Sequence, residues 1–283
     1  MVKEIGQIIG NIRRSKGYSQ EYVSRGILSQ GTYSKFENYN IGIRITTFNR
    51  ILEKLEISPE EFEYIKNGYK YTFREEIINK VFNLSYNNEE ILDDILSDTS
   101  VYLKGNEDLL IKNLSKICTS LILLSRTSNI EEARIPLKKV WDILSKRNHF
   151  YIIDIYLINS ILFLFPLETA LEIRNFTFRS IERYKNFQDV ERLKINISIN
   201  IMLLLIKEKR FKEAYLESEQ IINLCKQHQD YFRLAICYVR KGICMNHIEM
   251  SGKEWIQKGK NILTAIEEVA AVKLLEDEIK LYG

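Results

Sequence analysis

Residues 19–40 read SQEYVSRGILSQGTYSKFENYN. Ser19 and Ser29 each stand where a short helix would begin, and a serine hydroxyl there accepts from the first free backbone N–H groups. The stretch therefore reads as two short helices joined by a tight turn, the second starting at Ser29. Val23, Ile27, Tyr33 and Phe36 supply the apolar positions that lock the two together. The outward positions of the second helix are Gln30, Thr32, Ser34 and Lys35. Short donors and acceptors with one cation are what a helix lying in the DNA major groove needs. The expectation is a DNA-binding helix-turn-helix controlled by the rest of the chain.

Working outward, Ile5, Ile8, Ile9 and Ile12 recur at helical spacing, which predicts a first helix over 4–16, ended by Gly17. Ile45, Phe48, Ile51, Leu52 and Leu55 predict a fourth. Ser58-Pro59-Glu60-Glu61 is a strong fifth start: serine as cap, proline in the first turn, glutamate three residues after the serine. Phe62 and Ile65 would close this small core. Five helices fit in residues 1–66. The charge is uneven: residues 1–44 carry seven Lys and Arg against three Glu, while the whole chain is only +3, so the remainder is close to neutral. A basic end on a neutral body fits a DNA-reading head.

The segments IRRSKGYSQEYVS (12–24) and LSQGTYSKFEN (28–38) resemble the Cro/repressor-type helix-turn-helix, the XRE group. That resemblance implies an ion pair between Arg13 of the first helix and Glu37 at the end of the recognition helix. It implies a phosphate contact for Gln20 and base-facing positions for Gln30, Gly31 and Lys35. The candidate DNA-binding set is Arg13, Arg14, Ser19, Gln20, Ser29, Gln30, Thr32, Tyr33, Ser34, Lys35 and Asn38. Two features depart from the pattern: Ser24 replaces the usual alanine, and the turn Gly26-Ile27-Leu28-Ser29 is one residue short. A short turn followed by Ser-Lys-Phe-Glu is similar to the Rgg-type regulators of Gram-positive bacteria.

A polar linker is expected at 67–71, followed by a helix from about Thr72 to Leu84 and a body to 283. Four helix starts look alike: NIEEARIPLKKVWDIL (129–144), PLETALEIRNFTFRSI (166–181), RFKEAYLESEQIINL (210–224) and GKEWIQKGKNIL (252–263). With Ala133, Ala170, Ala214 and Trp255 as equivalents, the spacings are 37, 44 and 41, each long enough for one helix pair. This resembles degenerate tetratricopeptide repeats. The fold expected is all-α: a five-helix helix-turn-helix domain, then a right-handed α-solenoid of tetratricopeptide-like pairs.

In such a stack the first helix of each pair lines a concave face that can hold an extended peptide. The lining helices would be about 148–163, 188–208 and 230–249. Their candidate contacts are Arg147, Asn148, Tyr151, Asn159, Asn196, Asn200, Tyr238 and Asn246. An asparagine amide both donates to and accepts from a peptide backbone. Asn196 and Asn200 stand one turn apart, and Asn159 lies amid apolar residues that would favour a hydrophobic ligand.

The resemblance to Rgg-type regulators extends over the whole chain. It implies a cytoplasmic homodimer that binds promoter DNA and a short hydrophobic signalling peptide. It also puts the C-terminal stripe Ile266, Val269, Ala270, Leu274 and Ile279 at a dimer contact, although the same stripe would suit a helix capping the last repeat. A body that binds another protein instead of a peptide is the alternative. No apolar leader opens the sequence, and Tyr151–Leu167 is interrupted by Asp154, Asn159, Ser160 and Pro166, so neither a signal peptide nor a membrane span is expected. The four cysteines would then be reduced. No nucleophile, phosphate-loop or zinc-protease motif occurs, and no catalysis or cofactor is implied. Cys225-x-x-His228 and Cys244-x-x-His247 have borderline zinc-ligand spacing, but they sit in long helices, where lone cysteines are usually small buried apolar residues.

Overall fold

A computed structural model describes residues 5–39, 41–84, 88–187 and 190–283. The expected helix start at Glu4, the end of the opening stretch at Asn40 and the start of the lining helix at 188–189 lie outside these. Every regular element among the described residues is helical. The chain divides into two compact units, 1–77 and 78–283.

The first unit holds α1 (Ile5–Ser15), α2 (Gln20–Ser24), α3 (Gln30–Tyr39), α4 (Ile45–Lys54) and α5 (Pro59–Lys66). Ile9, Val23, Tyr33, Phe36, Ile51, Leu52, Leu55 and Phe62 form its core, as the periodicity predicts. Ile5 and Ile45 are exposed instead, because each opens its helix beyond the edge of that core. The serine starts behave as expected. Ser19 Oγ accepts from Tyr22 N, Ser29 Oγ from Thr32 N at 3.1 Å, and Ser58 Oγ from Glu61 N with Pro59 in the first turn. The turn between α2 and α3 contains Gly26 at φ +76°, a conformation costly for any residue with a Cβ.

Gly68 and Tyr69, in the expected linker, both have positive φ. α6 (Phe73–Phe82) follows, and the division between units falls within it. Its start is a reciprocal cap: Thr72 N donates to Glu75 Oε2 at 2.7 Å, and Glu75 N donates to Thr72 Oγ1 at 3.3 Å.

The second unit continues with α7 (Glu89–Leu103), α8 (Leu109–Thr127) and α9 (Ile130–Arg134), then a 3-10 turn leading into α10 (Lys138–Leu144). α11 (Ile152–Ile161), α12 (Leu167–Ile181), α13 (Val190–Lys207), α14 (Phe211–Gln227), α15 (Tyr231–Asn246), α16 (Lys253–Ala265) and α17 (Val269–Tyr282) complete it. α7 packs on α8, α12 on α13, α13 on α14, α14 on α15 and α15 on α16, while α11, α13 and α15 pack as one layer. The repeat reading holds for three of its four equivalents: Ala133, Ala170 and Ala214 are fully buried where helices cross. Trp255 is only half-buried, and in the last pair two glycines take the small-residue role. A Cβ on Gly252 would lie 1.8 Å from Gly242 O, and one on Gly259 would lie 2.5 Å from Ala235 O.

The apolar run Tyr151–Leu167 forms α11 and a 3-10 turn, with Ile155, Ile158 and Ile161 buried. No described helix is long and apolar enough to cross a membrane. The C-terminal stripe divides between packed and exposed positions. Val269 is 76% exposed, Ile266 and Leu274 are also exposed, and Ala271 and Leu275 do the packing. α17 lies against α15 and α16, so it caps the last pair. The packing face lies one position from the stripe, and Ile266 and Val269 stay uncovered.

Candidate functional site

The first site is the outer face of α2–α3. Its geometry rests on a buried ion pair beneath it. Arg13 Nε donates to Glu37 Oε1 at 2.7 Å and Nη2 to Oε2 at 2.9 Å, while Nη1 donates to Tyr18 O at 2.7 Å. Gln20 Nε2 donates to the same Oε2 at 2.8 Å. One carboxylate therefore ties α1, α2 and α3 together. Burial works against the charge on Glu37, but the hydrogen bonds from Arg13 and Gln20 outweigh it and hold its pKa below the usual carboxylate range. Arg13 is correspondingly raised, chiefly by its hydrogen bonds to Glu37. Burial, with the Glu37 carboxylate beside it, pushes the Tyr33 phenol up.

Two members of the DNA-binding set are thereby corrected. Tyr33 is 0% exposed and belongs to the core; its place in the apolar stripe overrides its place beside polar neighbours. Arg13 is buried, with all three nitrogens engaged by the protein, so it braces the face from behind. Gln20 is half-buried with its amide NH2 given to Glu37.

Arg14, Ser19, Ser29, Gln30, Thr32, Lys35 and Asn38 are exposed. Ser34 is half-buried and accepts from Asn38 Nδ2 at 3.3 Å. The Ser29 and Thr32 hydroxyls share a 2.8 Å hydrogen bond. Gln30 and Lys35 thus stand on an open face with a positive charge. Arg50 escapes a reading of the sequence: from α4 its Nη2 donates to Gly26 O at 2.7 Å and steadies the turn. Nothing in the periodicity of α4 marks that residue.

The second site is a cavity of about 430 Å3 in the body. α11, α13 and α15, the three expected lining helices, all contribute to its wall, with the end of α6, α8 and α17. Phe82, Ile117, Tyr156, Ile199, Ile236 and Leu274 supply apolar surface, and the Phe82 and Tyr156 rings stack at 4.4 Å.

Asn159, Asn196 and Asn200 all line the cavity. Asn200 Nδ2 donates to Asn159 O at 3.1 Å and to Asn159 Oδ1 at 3.2 Å. Asn196 Oδ1 accepts from Arg233 Nε. The other end of each amide, Nδ2 of Asn159 and Asn196 and Oδ1 of Asn200, is outside these bonds. The wall can therefore both donate to and accept from an extended backbone.

The other five candidates lie elsewhere. Arg147 pairs with Asp154, fixing the start of α11. Asn148 is exposed in the loop before that helix, and Tyr151 is 60% exposed with its ring against His149. Tyr238 is buried against Trp255 on the opposite face of α15, and Asn246 Oδ1 accepts from Gly252 N at 2.9 Å in the loop after it. Each is at a helix end or a packing seam, which spacing along one helix does not distinguish from a lining face.

Arg233, Arg240 and Glu278 are further wall residues, outside the expected set. A signal existed: Arg233, Ile236 and Arg240 recur on one face of a largely apolar helix. The two Cys-x-x-His pairs are split by environment. Cys225 and Cys244 are buried, whereas His228 and His247 are exposed, His247 stacking on Phe211.

Comparison with known proteins matches residues 9–62 to a helix-turn-helix model and residues 99–277 to the model of the HTH-type transcriptional regulator Rgg, C-terminal domain. Solved structures share the fold, among them the following three. A Listeria monocytogenes EGD-e protein described as a transcriptional regulator has a TM-score of 0.75 at 18% identity, covering 100% of this chain and 98% of that one. The SHP pheromone receptor Rgg2 of Streptococcus dysgalactiae has a TM-score of 0.70 at 16% identity, over 98% and 100%. PlcR of Bacillus thuringiensis, in complex with the peptide PapR7 and DNA, has a TM-score of 0.67 at 15% identity, over 98% of both chains. With the Rgg C-terminal model spanning well over half its length and a helix-turn-helix ahead of it, this chain belongs to the family of HTH-type transcriptional regulators typified by Rgg.

Proposed function

We propose that the chain is a cytoplasmic, homodimeric transcription regulator that binds promoter DNA and is controlled by a short hydrophobic signalling peptide held in the body. Residues 1–66 read DNA, 67–71 link, and 72–283 bind peptide and dimerise. Gln30 and Lys35 reach base edges, while Ser19, Ser29 and Arg14 meet phosphates. Two heads of a dimer would meet successive major grooves about 34 Å apart. The reading contains no catalytic step.

The observation that carries it is the meeting of Asn159, Asn196 and Asn200 on the wall of one largely apolar cavity. Polar amides that grip a backbone among apolar surface suit a hydrophobic peptide better than a folded protein surface. Two solved relatives in fold, the SHP pheromone receptor and PlcR with PapR7, are consistent with that reading.

The test pairs two measurements on the full chain. Calorimetry against a synthetic peptide encoded by a small reading frame beside the gene should show binding that Asn196→Ala and Asn200→Ala each weaken. A gel shift with the adjacent promoter should be unchanged in both variants. Equal peptide affinity in wild type and both variants would reject the cavity as the site.

A further inference from the structure

α17 is lightly held. Of its 14 residues only Ala271 and Leu275 are buried. Its polar ties are Glu276 to Lys260 at 2.6 Å, the Tyr282 carbonyl to His247 Nε2 at 2.7 Å, and Glu278 to Arg240. The last tie differs from the others. Arg240 is 6% exposed and lines the cavity, with Nε and Nη2 on the two Glu278 oxygens at 2.8 and 2.6 Å and Nη1 on Ile199 O at 2.9 Å. A buried guanidinium stripped of its carboxylate is strongly destabilising. Arg233, seven residues earlier, is served differently. Its carboxylate is Asp230 at the start of its own helix, at 2.8 Å, which cannot leave it. Glu278 comes from another, lightly held helix, and it lines the same cavity.

We infer that Arg240 is the carboxylate anchor for the bound peptide and that Glu278 is its resident occupant. A ligand carboxylate of the same planar geometry takes the place of Glu278 on the guanidinium fork. Arg240 is never left unpaired, and the exchange releases the chief polar hold on α17. A ligand without a carboxylate fills the apolar part of the cavity but leaves α17 in place. This deepens the peptide reading and rests on the cavity being the ligand site.

The carboxylate can be the peptide's own C-terminus or an acidic side chain. Three pools of heptapeptides distinguish these: Leu, Ile, Val and Phe only with a free C-terminus, the same pool amidated, and an amidated pool with one Glu. Affinity is read by equilibrium dialysis on the full chain, and release of α17 by amide hydrogen exchange over 269–282. A free-acid or Glu-bearing pool should bind tighter than the neutral amide and raise exchange in α17, and the full gain of about ten-fold or more from a charge-assisted hydrogen bond should appear where no Glu278 carboxylate has to be displaced. Glu278→Gln should raise α17 exchange without peptide and tighten carboxylate binding by removing the competitor. Arg240→Gln should bring the acid-to-amide ratio to about one, as expected when the charge-assisted bond is lost. Glu278→Gln carries the test by itself if Arg240→Gln fails to fold.

Equal binding of all three pools with α17 exchange unchanged would overturn the anchor and leave the peptide site standing. No binding by any pool would overturn both.

Discussion

The head and the body use buried charge in opposite ways. In the head, Arg13 and Glu37 saturate one another and recruit Gln20 and the Tyr18 carbonyl, so the ion pair is a fastener with its functional face on the other side. In the body, Arg233, Arg240 and the asparagines stand in the wall of a cavity, and each amide keeps one end outside the internal hydrogen bonds. The first arrangement fixes three helices with respect to each other. The second leaves hydrogen-bonding capacity where a ligand would find it. A charge that is fully spent builds a scaffold, whereas one that is partly spent, or satisfied by a lightly held helix, makes a site.

The largest effect that could break this contrast is Arg13→Ala. It leaves Glu37 buried without its partner, and a loss of about 3–5 kcal/mol in the stability of the head is expected. Urea unfolding followed by far-UV circular dichroism would measure it, and an ordinary surface-mutation value would show that the pair is not a fastener.

Next is Lys35→Ala, where loss of a good base contact is worth about 1–3 kcal/mol of DNA affinity. A gel shift should show that loss with thermal stability unchanged. Unaltered promoter binding would mean that the exposed face of α3 is not the reading face.

Ser29→Ala removes the cap of α3 and should cost about 1 kcal/mol in stability. Because the same hydroxyl touches Thr32, a small loss of DNA affinity should accompany it.

The smallest signal lies in mild acid. Glu37 is held below its ordinary value of 4.5, so its stabilisation is fully present above that pH. It is lost as pH falls through the depressed folded value. Stability of wild type should therefore begin to decline below about pH 4.5, and Glu37→Gln should flatten that decline.

The head was largely legible because its signals are local. Serine caps, the proline start at Pro59 and the apolar periodicity act within a few residues, and the structure keeps them apart from Ile5 and Ile45. Tyr33 was ambiguous for the same reason: it sits between polar neighbours in sequence while its helical phase points inward. In the body, periodicity placed α11, α13 and α15 correctly, and with them Asn159, Asn196 and Asn200. It failed for Tyr238 and Asn246, since telling the cavity face of α15 from the face against α16 depends on residues far along the chain. The same applies to Glu278, whose significance comes from a partner 38 positions away. In α17 two buried residues leave only a faint packing stripe, hard to tell in sequence from the exposed apolar positions beside it.

The crossing of α15 and α16 carries a consequence of its own. With a Gly252 Cβ destined to land 1.8 Å from Gly242 O, the two backbones touch with no side chain between them. Such a seam has no cushion to compress and cannot slide, so this end of the stack acts as an anvil on which α17 rests. In a saturation screen, position 252 should tolerate nothing larger than hydrogen, and a ligand that loosens α17 should do so without parting the seam beneath it.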